Sequence, residues 1–236
     1  MMIPRTTAII VAAGRSERFG GGDKVLLPLA GRPVLAHVLD AVEHAELVHD
    51  IVIVAETRLR GAIGALLATD HWSKRCQLVA GGTRRQDSVL AGLNALPESA
   101  GTVAILDGAR PLTTGELIDR CVAAAADGSA IAAIPVTDTL KRVDADGMIV
   151  NTVSRDGLWA AQTPQVFPVA RLREGFRRVE VGHVTYTDEA SLFESLGWPV
   201  KIVPADAANI KITWPDDLDR AERLMVPAAA LASGNA

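Results

Sequence analysis

Three short segments of the chain combine small residues with charges in a way that suits phosphate chemistry. The first runs Ala12-Ala13-Gly14-Arg15-Ser16-Glu17-Arg18-Phe19-Gly20-Gly21-Gly22-Asp23-Lys24, directly after the apolar run Ala8–Ala12. Small residues let a backbone approach a ligand closely, and the amides of such a loop can take phosphate oxygens. Glycines alone would read as a flexible turn. With Arg18 and Lys24 added at the end of a buried strand, where ligands of parallel sheets bind, the loop reads as an anion site. The second segment, Gly81-Gly82-Thr83-Arg84-Arg85-Gln86-Asp87-Ser88, again follows a strand-like run and opens a helix-like one. Its backbone and Ser88 could bond a nucleotide base or ribose, and its helix N-terminus favours anions. A helix cap with exposed arginines fits it equally well. The third, Leu106-Asp107-Gly108-Ala109-Arg110-Pro111, puts a carboxylate at the end of an apolar run with an arginine three residues on. Such an Asp107 either holds Mg²⁺, orients a substrate hydroxyl or forms an ion pair with Arg110. Thr139, Arg155, Thr163, Thr187 and Lys211 would suit a polyol phosphate, but spacing alone does not gather them.

Other chemistries lose their signatures. A Walker loop needs G-x-x-x-x-G-K-S/T, whereas Gly14 and Gly20 have the wrong spacing and Val25 follows Lys24. A dinucleotide fingerprint needs G-x-G-x-x-G, and position 16 is Ser. The histidines His37, His44, His49, His71 and His183 lack metal-ligand spacing. No G-x-S-x-G elbow or Cys–His signature supports a hydrolase. Two cysteines, Cys76 and Cys121, are too few for a disulfide framework and fit a reducing cytoplasm.

The elements that must position these segments follow from hydropathy. Runs rich in β-branched residues occupy 8–12, 50–55, 77–80, 102–107, 130–136 and 200–204. They are apolar without alternation, as strands buried on both faces tend to be. Helix-like stretches lie between them at Pro33–Ala45, Thr57–Ala68, Asp87–Leu96, Thr114–Ala126 and Pro215–Met225. The alternation predicts an α/β fold: a three-layer sandwich around a mainly parallel, Rossmann-like sheet. Residues 139–155 break the order with two strand-like pieces around Asp144-Ala145-Asp146-Gly147, which predicts a protruding β-hairpin. It reads as a surface hairpin or as an arm that packs on a second subunit. No repeat or linker is evident, so residues 1–226 are expected to form one domain and 227–236 a frayed tail.

The 236 residues are 49% hydrophobic and 22% charged, which excludes a disordered chain. A net charge of −4 gives no support for nucleic-acid or anionic-membrane binding. The N-terminal apolar run breaks at Gly14, too short for a membrane helix or a signal peptide.

The glycine loop resembles the signature of sugar-phosphate nucleotidyltransferases with a glycosyltransferase-A-like fold. The segments 81–93 (GGTRRQDSVLAGL), 106–111 (LDGARP), 138–143 (DTLKRV), 155–167 (RDGLWAAQTPQVF), 187–191 (TDEAS) and 209–213 (NIKIT) narrow this. Together they resemble the 2-C-methyl-D-erythritol 4-phosphate cytidylyltransferase family, in that family's order, from Ala8 to about Met225. The resemblance implies transfer of CMP from CTP, with Mg²⁺, to 2-C-methyl-D-erythritol 4-phosphate and release of pyrophosphate. It implies that Ala12, Ala13, Gly14, Gly82 and Ser88 hold CTP and that Arg18 and Lys24 stabilise charge on its α-phosphate. Arg155 and Lys211 would position the attacking phosphate. Asp107, Arg110, Thr139, Thr163 and Thr187 would contact the acceptor. The hairpin would be the arm of a homodimer, so that Thr139 and Arg155 serve the neighbouring subunit. The chain departs from the family at Asp23-Lys24-Val25, often Pro-Lys-Gln, at Gly108, and at Thr83, where an acidic residue is common. Ribitol 5-phosphate is the nearest rival acceptor.

Overall fold

The computed structural model describes residues 5–14, 19, 23–69, 72–96, 100–178 and 186–225. The predicted strands form β1 (Thr6–Ala12), β4 (Val48–Ala55), β5 (Arg75–Ala80), β6 (Thr102–Asp107), β7 (Ala130–Pro135) and β11 (Lys201–Pro204). Pro28–Leu29 and Arg32–Pro33 pair as the short β2 and β3. The seven-stranded sheet has the order β11-β7-β10-β6-β1-β4-β5. All its neighbours run parallel except β10 (Trp159–Pro168), which lies antiparallel between β6 and β7.

Strand β10 is a finding beyond the hydropathy reading. Its sequence WAAQTPQVFP is mixed in polarity and contains Pro164, which argues against a central strand. Its register with β7 shifts between Ala161 and Gln165, which brackets the proline. The outer strands also differ from expectation. Sheet-edge strands β5 and β11 are only partly buried, because each has a neighbour on one side alone.

The sheet separates two apolar layers. Ala8, Ile10 and Ala12 of β1 face a core shared with α1 (Val34–His44) and α4 (Gly115–Ala124). Ile9 faces the other core, with α3 (Arg85–Asn94), α5 (Val169–Arg178) and α6 (Glu189–Ser195). Alternate residues of one strand therefore enter different layers, although both sets are apolar. Ile9 and Ile10 are fully buried, and truncating either to Ala would cost ~2–5 kcal/mol. The remaining helices are α2 (Arg60–Thr69), preceded by a 3₁₀ turn at Thr57–Leu59, and α7 (Asp216–Met225). Pro33 stands at the N-cap of α1, and Thr114 caps α4 by accepting from the Leu117 N–H at 3.1 Å.

Between β7 and β10 the chain leaves the sheet as β8 (Leu140–Val143) and β9 (Ile149–Val153), which pair with each other in a separate two-stranded sheet. The Asp144 side chain accepts from the N–H groups of Asp146 and Met148, and Gly147 takes φ +80°. This is the turn chemistry that Asp-Ala-Asp-Gly predicts. Val143, Met148, Ile149 and Val150 on this arm are 53–67% exposed.

No helix among the described residues is long and apolar enough to cross a membrane. Cys76 and Cys121 are unpaired, and burial pushes their thiols up to about 11 and about 12. The predicted tail at 227–236 lies outside the described residues.

Candidate active site

The order of strands reverses at β1, which has β4 on one side and β6 on the other. Ligands of open α/β sheets bind at such a switch point, beyond the carboxyl ends of the strands. A cleft of about 460 Å³ opens there, within the ~300–1,000 Å³ usual for small-molecule sites. Val11, Ala12, Ala13 and Gly14 form its floor where β1 ends. Thr83, Arg84, Arg85 and Ser88 line one wall, and Asp107, Lys211 and Thr213 another. Lys24 reaches the same space from the turn before β2.

The start of α3 is built for close approach. A Cβ on Gly82 would lie 2.3 Å from the Asp87 Cβ, so only glycine fits without movement of the helix. The Gly82 N–H donates to the buried Ser88 Oγ at 3.2 Å, which folds the loop back on its own helix. Arg84 and Arg85 part company here. Arg84 pairs with Asp87, its Nη2 2.7 Å from Oδ1, as a helix-cap arginine would. Arg85 turns into the cleft wall, and both Glu189 oxygens accept from its Nη1 at 2.7 and 2.8 Å. Burial works against the Arg85 charge, but Glu189 and Asp107 outweigh it and raise its pKa above the usual arginine value.

Asp107 is the electrostatic centre. Its Oδ2 lies 3.0 Å from Lys211 Nζ and 3.3 Å from Arg110 Nε, and its Oδ1 is 3.7 Å from Arg85 Nε. Burial alone would raise the Asp107 pKa. Lys211, Arg85 and Arg110 reverse that and bring it down to about 2. The Asp107 N–H donates to Thr163 Oγ1 at 3.0 Å. The segment carrying Lys211 is fixed by backbone and side chain together. Ile212 N–H donates to Ala109 O, Arg110 donates to Asn209 O, and buried Asn209 donates to Gln162 Oε1 and Thr163 O.

A model of the IspD family, 2-C-methyl-D-erythritol 4-phosphate cytidylyltransferase, matches residues 6–226. The chain belongs to this family. A relative of that name from Parasynechococcus marenigrum (strain WH8102) is 49% identical over 219 residues, covering 92% of this chain and 96% of the relative. Another, from Frankia casuarinae, is 42% identical over 225 residues, covering 94% of this chain and 82% of its own. Among solved structures, a 4-diphosphocytidyl-2C-methyl-D-erythritol synthase from Anaerococcus prevotii DSM 20548 superposes with a TM-score of 0.83 at 29% identity. That likeness covers 94% of this chain and 99% of the other. The cytidylyltransferase from Thermus thermophilus gives 0.76 at 30% identity, over 93% and 98%.

The cytidylyltransferase motifs converge unevenly. Ala12, Ala13, Gly14, Lys24, Ser88, Asp107 and Lys211 share the cleft, with Gly82 bonded to Ser88. Arg110 and Thr163 sit behind Asp107, buried and bonded to it. Thr187 is exposed, two residues before Glu189. Thr139 and Arg155 belong to the exposed arm and do not line this cleft; Arg155 donates to Thr137 O. Arg18, with glycines 20–22, lies outside the described residues. Asp23, where this chain departs from the common cytidylyltransferase loop, accepts from Arg58 Nη1 at 2.7 Å, and Arg58 Nε also donates to Glu56 at 2.8 Å. The charge next to Lys24 is thereby tied to the turn after β4.

Sequence reasoning assigned no role to Arg85, Gln162, Glu189 or Asn209, although all four lie within the segments 81–93, 155–167, 187–191 and 209–213 that carry the resemblance. Arg85 looked like its neighbour Arg84, and only the fold tells them apart. Asn209 carried a faint signal, since it opens the segment of Lys211 with a residue poor in strand and helix propensity.

Proposed function

We propose that this protein transfers CMP from CTP to 2-C-methyl-D-erythritol 4-phosphate, giving 4-diphosphocytidyl-2-C-methyl-D-erythritol and pyrophosphate. Residues 1–226 act as one cytidylyltransferase domain in this reading, working in the cytoplasm. Family membership supports it, and the single observation that carries it is the cationic cluster around Asp107 at the mouth of a strand-end cleft.

A phosphate monoester oxygen of the acceptor attacks the α-phosphorus of CTP. The new P–O bond forms as the bond from the α-phosphorus to the oxygen bridging to the β-phosphate breaks, and that oxygen leaves on pyrophosphate. The second pKa of a monoester is ~6, so at pH 7 the nucleophile is already largely dianionic. No general base is required. The barrier lies in bringing two polyanions together, which fixed cations lower by positioning and electrostatic stabilisation. Ala12, Ala13 and Gly14 receive CTP at the end of β1, with Ser88 and the loop it folds back beside them. Lys24 stabilises charge at the α-phosphate, a role the family resemblance assigns to Arg18 as well. Lys211 positions the acceptor phosphate, held in place by Asp107. Asp107 meets the acceptor's hydroxyls, backed by buried Arg110 and Thr163, and Thr187 contacts the acceptor in the same reading.

The family's divalent cation, Mg²⁺ in this reading, finds no cage here. No group of three His, Cys, Asp or Glu among the described residues could hold a metal. Asp107, with three cations within 3.7 Å, suits a substrate-orienting carboxylate better than a metal ligand. Mg²⁺ generally binds such substrates through their own phosphate oxygens, where it neutralises charge.

Homodimerisation through the arm belongs to the same proposal. The exposed apolar residues of β8 and β9 support it, as does the placement of Thr139 and Arg155 away from this chain's own cleft. One copy's arm then brings both residues to the other's acceptor site.

Phosphorus NMR of CTP, Mg²⁺ and the acceptor with the protein tests the transfer. The expected result is loss of the monoester signal in step with gain of a diphosphate diester and pyrophosphate. A monoester that persists while CTP is consumed contradicts it.

A further inference from the structure

Glu189 opens α6 and is 2% exposed, yet it lines no part of the cleft. Its carboxylate is bidentate on Arg85, whose other edge faces Asp107. A second bond joins the same two places. The side chain of buried Gln86, next to Arg85, accepts from the Tyr186 N–H at 3.1 Å. The first turn of α3 therefore grips 186–189 at two points, one charged and one neutral. From behind, Asp188 accepts from Gln165 of β10 at 2.8 Å and from Ser191 N–H at 2.9 Å. Thr187 stands within this gripped segment. A buried ion pair is a poor device for stability alone, since apolar residues of like volume often serve as well. This one is better understood by where it ends, on the Asp107 carboxylate inside the cleft.

We infer that Glu189 is a positioning residue for the acceptor half of the site: through Arg85 it fixes Asp107, and with Gln86 it seats the segment bearing Thr187. The inference rests on the proposed function, which assigns Asp107 and Thr187 to the acceptor. The nucleotide half is held separately, by the Gly82–Ser88 bond and the end of β1. Loss of Glu189 should therefore weaken the acceptor and spare CTP.

The test is steady-state kinetics of the full chain with CTP and 2-C-methyl-D-erythritol 4-phosphate, alongside thermal unfolding. Glu189→Gln is expected to raise the acceptor KM roughly tenfold or more while the CTP KM stays within about twofold. Glu189→Asp, which keeps the charge, should recover part of the loss. Gln86→Leu removes the neutral contact without stranding a buried charge, and should shift the acceptor KM in the same direction by a smaller factor. Should Glu189→Gln fail to fold, Gln86→Leu decides on the same terms. Unmoved acceptor KM in the folded variants, or both KM values rising together with a fall in Tm, overturns the inference. In that case normal wild-type turnover leaves the proposed function standing. A wild-type protein without turnover contradicts the proposed function, and this inference with it.

Discussion

Lys24 and Asp107 are the charges on which the cleft's chemistry turns. Lys24 projects into the cleft from a turn whose neighbouring Asp23 is engaged by Arg58. If it stabilises charge that builds only as the α-phosphorus is attacked, its loss should show in turnover rather than in binding. Lys24→Ala is expected to lower kcat by ~10²–10³-fold with little change in the CTP KM, by analogy with other preorganised electrostatic groups. An unchanged kcat in steady-state assays would remove Lys24 from that role. Asp107 makes a prediction in acid. Its folded pKa of about 2 lies below the ordinary 3.8, so its contribution to stability is full above pH ~4 and is lost as pH falls toward ~2. The difference corresponds to about 2 kcal/mol. Urea unfolding between pH 5 and pH 2 should therefore lose ~2 kcal/mol less in Asp107→Asn than in wild type. Equal acid slopes in the two proteins would contradict the ionic role. Asp107 was legible in sequence because it ends an apolar run three residues before an arginine. Its partners Arg85 and Lys211 were not legible together, and Arg85 meets Glu189 across 104 residues of chain. Local spacing does not encode such a pairing.

Elements explain why the site sits where it does. The carboxyl ends of β1 and β6, with the start of α3, supply most of the cleft. Strands β1, β4, β6 and β7 were readable because buried parallel strands are continuous β-branched runs. The alternation of strand and helix then implied which ends of the strands face the ligand. Strand β10 escaped that logic, because Gln162, Thr163 and Pro164 interrupt its apolar residues at the point where the chain serves Asp107 and Asn209. Polar residues needed by the site erased the strand's hydropathy signal. Helices α5 and α6 were also unread, and α6 spans only seven residues. The glycine at the start of α3 gives a test at this scale. Gly82→Ala forces its new methyl against Asp87 and the first turn of α3, an overpacking of ~1–3 kcal/mol. It should raise the CTP KM more than the acceptor KM. A variant that shifts only the acceptor would contradict the assignment of this loop to the nucleotide.

For the whole molecule, the arm is the feature that one chain leaves unexplained. Residues 138–155 were recognisable as a hairpin because Asp144 to Gly147 is a strong turn signal. What the arm covers was not readable, since exposure is a property of the folded chain. Four apolar side chains more than half exposed on one small hairpin support the proposed pairing with a second copy. Replacing Ile149 and Val150 together by Lys is expected to shift a dimer to a monomer in sedimentation, with loss of turnover because Arg155 and Thr139 no longer reach a neighbouring cleft. A wild-type chain that sediments as an active monomer would contradict the arrangement. Family, cleft and cation cluster together lead to one reaction on one acceptor. The measurement that tests this most directly is pyrophosphate release from CTP and Mg²⁺ with 2-C-methyl-D-erythritol 4-phosphate and ribitol 5-phosphate in parallel. Turnover is expected with the first, and a kcat/KM for the second lower by orders of magnitude. Turnover confined to ribitol 5-phosphate would keep the fold and the cytidine site but contradict the proposed function.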